Sequence, residues 1–305
     1  MQRFVVTGAN KGIGLAIVKG LLEADNSSFV FLGSRDAARG KDAANAVIAG
    51  NPDSYTGRVE ALEIDVTSAE SVTRAADAVR ASLSGDTLSC LINNAGVAVM
   101  DFSPSDFDKS LGVNFHGVVR TTEAFLPLLD PSKGRIVMIS SSAGPSFVAK
   151  CSEERQALLV DPAVTHAQIA GFAEECSGII ASSGGNAAER FAAVGLASAE
   201  YMSGYGVTKA LVNMYTMQLA REHPSLLVNA CTPGFIQTEL TKPLAKSSGK
   251  TLDEMGAKPT SEGAKVPVYL ATGDVPRSGW YFGSDGQRSP LDRYRDPGSP
   301  AYEGK

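Results

Sequence analysis

Tyr205 and Lys209, in the stretch YGVTK, are four residues apart. On a helix this spacing puts both side chains on one face, where an ammonium can act on a phenol. A nearby positive charge lowers a phenol's pKa from its ordinary ~10 and makes it a usable acid–base group near neutral pH. The pair alone is a common accident, so it needs partners elsewhere. One lies near the start of the chain, in TGANKGIG, Thr7 to Gly14. Its glycines follow G-x3-G-x-G behind a β-rich run. Gly8 suits a tight turn, Gly12 a close backbone approach to a pyrophosphate, and Gly14 the close packing of the next helix. That helix's N-terminus turns free N–H groups and a positive dipole end toward an anion. Asn10, Lys11 and Ile13 complete the turn.

The second apolar run ends FLGSRD, with Ser34 and Arg35 at the expected contact with the adenosine ribose. A small neutral residue followed by Arg suits a 2′-phosphate, which a guanidinium grips with two hydrogen bonds. Lys11 can add a second charge. This pattern favours NADP (NADPH). Asp36 is the counter-argument, because one residue of slip makes it the acid that holds a ribose 2′-hydroxyl in NAD sites.

These groups need elements to carry them. Apolar runs at 3–8, 29–34, 58–66, 88–96, 134–144 and 226–234 read as strands. Helical spacing at 12–24, 36–49 and 106–129, and around Tyr205, alternates with them. Thr67 and Glu70 form a capping-box pattern ahead of another helix. The alternation predicts α/β architecture with a parallel sheet covered on both faces. The expected organisation is one domain over 1–289. Residues 235–260, rich in Lys, Ser and Gly, read as a flap over the cleft. A flexible tail is expected over 290–305.

The chain has 305 residues, 43% hydrophobic and 20% charged, with net charge −5. That balance argues against nucleic-acid and anionic-membrane partners, which need a basic face. Four scattered Cys and three His show no metal spacing, so no metal is expected. No apolar run approaches the ~20 residues of a membrane span. The first strand starts at Arg3, with no room for a targeting segment ahead of it. A reduced, cytoplasmic chain is expected.

The motifs TGANKGIG, DV at 65–66, NNAG at 93–96, Asn114 in GVNFHG, the serines 140–142, YGVTK and PG at 233–234 occur in this order. Together they resemble the short-chain dehydrogenase/reductase family over residues 3–285. The resemblance implies a single-domain Rossmann-type doubly wound sheet and reduction of a small-molecule carbonyl. It implies that Tyr205 donates the proton while Lys209 tunes it and holds the nicotinamide ribose. Asn114 would hold a water that resupplies protons through Lys209. Ser141 would polarise the substrate oxygen, although Ser140 and Ser142 flank it and strand alternation alone leaves the register open. Asp65, with Val66, would contact the adenine. Asn93, Ala95 and Gly96 would line the cofactor cleft, and Pro233, Gly234, Ile236 and Thr238 would close it.

Sixty-four residues separate Ser141 from Tyr205 (205 − 141), where most of the family has a far shorter gap. This resembles the monomeric carbonyl reductases, in which an insertion, here 142–200, covers the helices others use to form tetramers. A monomer is therefore expected. Within the insertion Ile169, Phe172, Cys176, Ile179 and Ile180 form an apolar stripe that reads as packing. The substrate pocket is expected near Phe147, Val148, Met202, Phe235 and Trp280, an apolar and aromatic cleft suited to ketones, aldehydes or quinones. Tyr201 lacks a Lys four residues on and reads as lining or surface. Alternative functions are alcohol oxidation with NAD(P) at the same site, and a non-catalytic NADP-sensing protein.

Overall fold

Apolar runs that end in glycine or polar turns become the strands of one sheet. A computed structural model describes residues 1–98, 103–197 and 203–304. Its strands are β1 (Arg3–Val6), β2 (Phe29–Ser34), β3 (Val59–Glu63), β4 (Cys90–Asn93), β5 (Arg135–Ile139), β6 (Leu227–Cys231), β7 (Tyr281–Phe282) and β8 (Arg288–Ser289). Their order is β3-β2-β1-β4-β5-β6-β7-β8, parallel throughout except for the β7–β8 pair. Central strands of such a sheet are buried on both faces. Phe4, Val5 and Val6, like Cys90, Leu91 and Ile92, are accordingly apolar without alternation and fully buried.

The helices are α1 (Gly12–Ala24), α2 (Ala37–Gly50), α3 (Pro52–Tyr55), α4 (Ala69–Leu83), α5 (Pro104–Leu111), α6 (Gly117–Phe125), α7 (Ala143–Val148), α8 (Glu153–Leu159), α9 (His166–Ala181), α10 (Ala187–Ala193), α11 (Ser203–Glu222), α12 (Lys242–Ser248) and α13 (Thr260–Thr272). Two cores fill the two faces. On one, α1, α2 and α13 pack through Ile17, Leu21, Val47 and Leu270. On the other, α4, α6, α9 and α11 pack through Val79, Phe125, Phe172 and Leu211. The fold is the single-domain α/β architecture that the sequence predicts. Among the described residues no helix is long and apolar enough to cross a membrane.

Several local expectations are corrected. Ser68, not Thr67, caps α4, accepting from the Ser71 amide. Thr67 instead donates its amide and hydroxyl to Asp65 Oδ1 (2.9 and 2.7 Å), and Glu70 pairs with Arg74 one helical turn on. The helix expected over 106–129 is α5 and α6 joined by a π-helical turn, Gly112–His116, where the Gly117 amide reaches back to the Gly112 carbonyl. Such turns disturb the regular ladder and recur at functional sites.

The insertion behaves as its stripe predicts. Ile169, Phe172, Cys176 and Ile180 are buried and Ile179 half-buried, with α9 against α5 and α11. Consequently every residue of α11 from Gly204 to Leu219 is buried. A helix covered all round is an interior helix.

Candidate active site

The chain runs β1-β2-β3 toward one edge of the sheet, then crosses back to place β4 on the other side of β1. Open α/β sheets bind ligands at such a reversal, beyond the C-terminal ends of the strands. The turn after β1 and the NNAG box after β4 flank this crevice. Gly8 has φ +62°, and a Cβ there would come within 2.8 Å of Ala95 Cα. At Gly14 a Cβ would meet Asn94 Nδ2 at 2.5 Å and the Gly8 carbonyl at 2.6 Å. Only glycine fits either place.

The two loops are locked together by two residues that the sequence reading did not single out. Thr7 Oγ1 accepts from the amides of Asn94 and Ala95, both at 3.0 Å. Asn94 Nδ2 donates to the carbonyls of Thr7 (2.8 Å) and Gly8 (3.1 Å). Both lie inside quoted motifs, and their polar side chains next to tight turns were the available signal. Asn93, expected in the cleft, points into the helix layer and donates to Thr122 Oγ1 at 2.9 Å. Strand alternation explains this, because adjacent residues face opposite sides.

At the end of β2, Ser34 is buried and its hydroxyl donates to the Asp36 carbonyl (2.8 Å). Asp36 caps α2, accepting from the Arg39 amide at 2.9 Å. Its carboxylate is thereby engaged in the helix cap, with Arg39 Nε 3.5 Å from Oδ2. Arg35 is exposed. Asp65 is worked upward by burial, but Thr67's hydrogen bonds and the charges of Arg35 and Arg120 hold its carboxyl below the usual range. The neighbouring Val66 is buried against Gly117, and its carbonyl accepts from Arg120 Nη1 at 2.6 Å.

Beyond β6, Pro233 is half-buried, Gly234 is exposed at φ +90°, and Ile236 is buried against Gly263. Thr238 extends toward the glycine turn: a Cβ on Gly12 would lie 3.7 Å from its Cγ2. The segment expected as a flap leaves and returns at one point, where Phe235 and Gln237 exchange backbone bonds with Lys258 (2.8 and 2.9 Å). Its helix α12 buries no residue.

Tyr205 and Lys209 sit one turn apart on α11, 7% and 5% exposed. Lys209 Nζ donates to the Ile139 carbonyl at 2.8 Å and stands 5.5 Å from the centre of the Tyr205 ring. The three serines diverge. Ser140 donates to the Lys209 carbonyl (3.4 Å), Ser141 is hydrogen-bonded with the Tyr205 hydroxyl, and Ser142 starts α7. Asn114, in the π-helical turn, holds Val97 through both backbone groups (2.8 Å each) and donates to Thr208 Oγ1 (3.1 Å). It thus fixes the loop carrying Gly96, where a Cβ would lie 3.8 Å from Lys209 Nζ.

The electrostatics differ from the expected lowering of the phenol. Burial pushes Tyr205 up to about 12 against the opposing Ser141 hydrogen bond. Burial also brings Lys209 down to about 8. Desolvation disfavours the charged form of each, and the ammonium spends a hydrogen bond on Ile139 rather than on the phenol.

The expected pocket needs three revisions. Phe147 is a core residue, 3% exposed, wedged against Gly206 between α7 and α11. Trp280 faces the α1–α13 side, with its ring 4.5 Å from Arg288 Cζ and 6.1 Å from the Phe282 ring. Its neighbour Tyr281 takes the cleft side instead, beside Phe235. Met202 and Tyr201 lie outside the described residues.

Residues 2–152 match the family model described as short chain dehydrogenase. Carbonyl reductase [NADPH] 1 of Rattus norvegicus is 31% identical over 281 residues, covering 88% of this chain and 89% of its own. Short-chain dehydrogenase/reductase 1 of Saponaria officinalis is 31% identical over 297 residues and 88% of each chain. Among solved structures, salutaridine reductase from Papaver somniferum superposes with a TM-score of 0.74 at 26% identity, over 92% of this chain and 99% of its own. With the doubly wound sheet, the glycine turn and the Ser–Tyr–Lys cluster at its C-terminal edge, the chain belongs to the short-chain dehydrogenase/reductase family of oxidoreductases, in the carbonyl reductase branch.

Proposed function

We propose that this protein reduces a ketone, aldehyde or quinone to its alcohol with NADPH, and that Tyr205 delivers the proton. The observation that carries this is the meeting of Tyr205, Ser141 and Lys209 beside the crevice between β1 and β4. NADPH supplies the hydride when bound. The residues present fit that cofactor. Helix α1 has no side-chain cap, so its first-turn amides are available to a pyrophosphate. Gly12 faces open space apart from Thr238. Asp36 is committed to capping α2, which leaves Arg35 as the group for a 2′-phosphate.

A phenol that burial holds near 12 is protonated at neutral pH and is ready to give its proton, the need of the reductive direction. Ser141 orients the substrate oxygen against that hydroxyl. Lys209 holds a positive charge beside the phenolate that forms, and its position next to Gly96 suits a ribose contact. Asn114 keeps the Gly96 loop and the Thr208 turn in register, and so fixes the distance between crevice and phenol.

A panel of aldehydes, ketones and quinones, followed by loss of NADPH absorbance, tests the reading. No turnover across all three classes would overturn it. Cofactor choice has its own test. A charge-assisted hydrogen bond is worth roughly 1.5–3 kcal/mol, so Arg35→Ala should cut the preference for NADPH over NADH by about ten- to a hundredfold. Equal use of both cofactors by the parent protein would sink the NADPH assignment.

We also infer a monomer. The insertion helix α9 lies on α5 and α11, which the resembling tetrameric enzymes use for assembly, and α11 is already buried. Light scattering at micromolar concentration should return the 31.8 kDa mass of one chain. A tetramer mass would reject the inference.

A further inference from the structure

Residues 290–304 contain no regular element, yet they are held. The Arg295 side chain is 6% exposed and grips Asp285 with two bonds, Nη1 to Oδ1 at 3.1 Å and Nη2 to Oδ2 at 2.8 Å. Its other donations reach the carbonyls of Pro300 (2.9 Å) and Ser299 (2.6 Å), and the Gly298 amide joins Asp285 Oδ2 at 2.9 Å. One partly buried ion pair therefore ties a whole loop of tail to the β7–β8 turn. Further on, the Tyr302 amide donates to the Arg288 carbonyl at 3.2 Å. The Arg288 guanidinium stands 4.5 Å from the Trp280 ring and 5.0 Å from the Tyr302 ring. The tail expected to be loose is a strap. Its polar, proline-containing sequence hides a pairing between residues with no periodic relation.

The strap closes one side of a cavity that begins at Ser142, one residue past Ser141. This cavity of about 90 Å³ is lined by Ser142, Thr232, Phe235 and Tyr281 together with Tyr294 and Pro297 of the strap. Pockets for larger apolar ligands enclose roughly 300–1,000 Å³, several times this volume. The strap supplies bulk rather than free charge. Arg295 is neutralised by Asp285, and Arg293 pairs with Asp292 (3.0 Å) while lying over Tyr302.

We propose that the C-terminal strap sets the substrate class of this site: Tyr294 restricts it to compact carbonyl compounds, and the Asp285–Arg295 pair is the positioning device that holds Tyr294 in place. The inference rests on the carbonyl reductase reading above and narrows its substrate. Tyr294 is half-exposed, so Tyr294→Ala removes a wall without opening the core. Arg295→Ala and a chain ending at Ser289 release the strap itself.

The test compares a single-ring ketone with a fused bicyclic ketone in each protein, with NADPH. One added or removed apolar contact changes discrimination by about 10- to 200-fold. The parent should therefore favour the single-ring ketone by at least about tenfold in kcat/KM. Tyr294→Ala and the shortened chain should raise kcat/KM for the bicyclic ketone relative to the single-ring ketone by about tenfold or more. Arg295→Ala should move in the same direction, which a purely structural role elsewhere would not do. Trp280 is the single tryptophan and lies under Arg288, so its emission reads strap release directly. It should shift in the shortened chain. Unchanged selectivity in all three variants, or a parent that takes both ketones equally, overturns the proposal. A binding arm separates it from the function it rests on. If the parent reduces neither ketone, calorimetry of the bicyclic ketone with the NADP-loaded proteins decides. Binding about tenfold tighter in Tyr294→Ala supports the strap, and equal affinity rejects it.

Discussion

Tyr205→Phe is expected to lower kcat/KM for carbonyl reduction by about 10²–10⁴-fold, the range for removing a general acid. The change is local. The substitution deletes one hydroxyl and keeps the ring that α11 buries. Its hydroxyl bonds with Ser141, which keeps the hydrogen bond it accepts from the Ala143 amide at 3.2 Å. The stability cost should therefore stay near one hydrogen bond, about 0.5–1.5 kcal/mol. NADPH affinity should stay within about twofold, because the groups fitted to the cofactor lie in the glycine turn, at Arg35 and at Lys209, and a lost neutral contact is worth little when solvent replaces it. Steady-state absorbance and a cofactor titration measure the two quantities separately. Activity within about tenfold of the parent would remove Tyr205 from the chemistry.

The fold was readable because the strands of a two-sided parallel sheet are short apolar runs with glycine or polar ends, and six of them alternate with helical spacing. Strands β7 and β8 escaped, since two residues carry no period. The same limit explains the pocket. Trp280 and Tyr281 differ by one position, and one position on a strand decides the face. GWYFG offers an aromatic at each register, so composition could not choose between them. Phe147 misled for another reason. It follows the serine run closely, but Gly206 leaves a space on α11 that an aromatic ring fills, and packing took it.

At the candidate site, Ser141, Tyr205 and Lys209 stand out as motifs, whereas the residues that support them do not. Thr7 and Asn94 bind loops far apart in the chain. Asn114 is spent on Val97 and Thr208. Such bonds join residues whose proximity exists only after the sheet has formed. The expectation of a lowered tyrosine pKa failed on the same ground. Spacing on a helix reports direction, but it does not report the burial that dominates both groups here. The insertion matters to this too. By covering α11 on its outer side it helps to bury Tyr205 and Lys209.

Lys209→Met should separate stability from function. The methionine stem fills a similar volume without a charge. Activity should fall by at least about 10²-fold, because the positive charge facing the forming phenolate is gone, and NADPH should bind more weakly through loss of the Gly96-side contact. Stability should move the other way or hold. Burial brings Lys209 from 10.5 down to about 8, so the folded protein bears a cost of about 3 kcal/mol for keeping the ammonium charged at low pH. Removing it leaves the Ile139 carbonyl without its donor, a loss of about 1–3 kcal/mol. The two nearly offset, and the melting temperature at pH 7 should be no lower than the parent's. The pH dependence fixes the sign. Between about 8 and 10.5 the unfolded parent binds more protons at this lysine than the folded parent does, so the parent gains stability as pH rises through that window. The variant lacks this gain. Its margin over the parent should therefore shrink from pH 7 to pH 10, as thermal unfolding at a series of pH values would record. A variant several degrees less stable at pH 7 would mean that the lysine is an anchor for β5 first, with its charge incidental to the fold. A variant that keeps full reductase activity would mean that the ammonium has no part in the proton transfer.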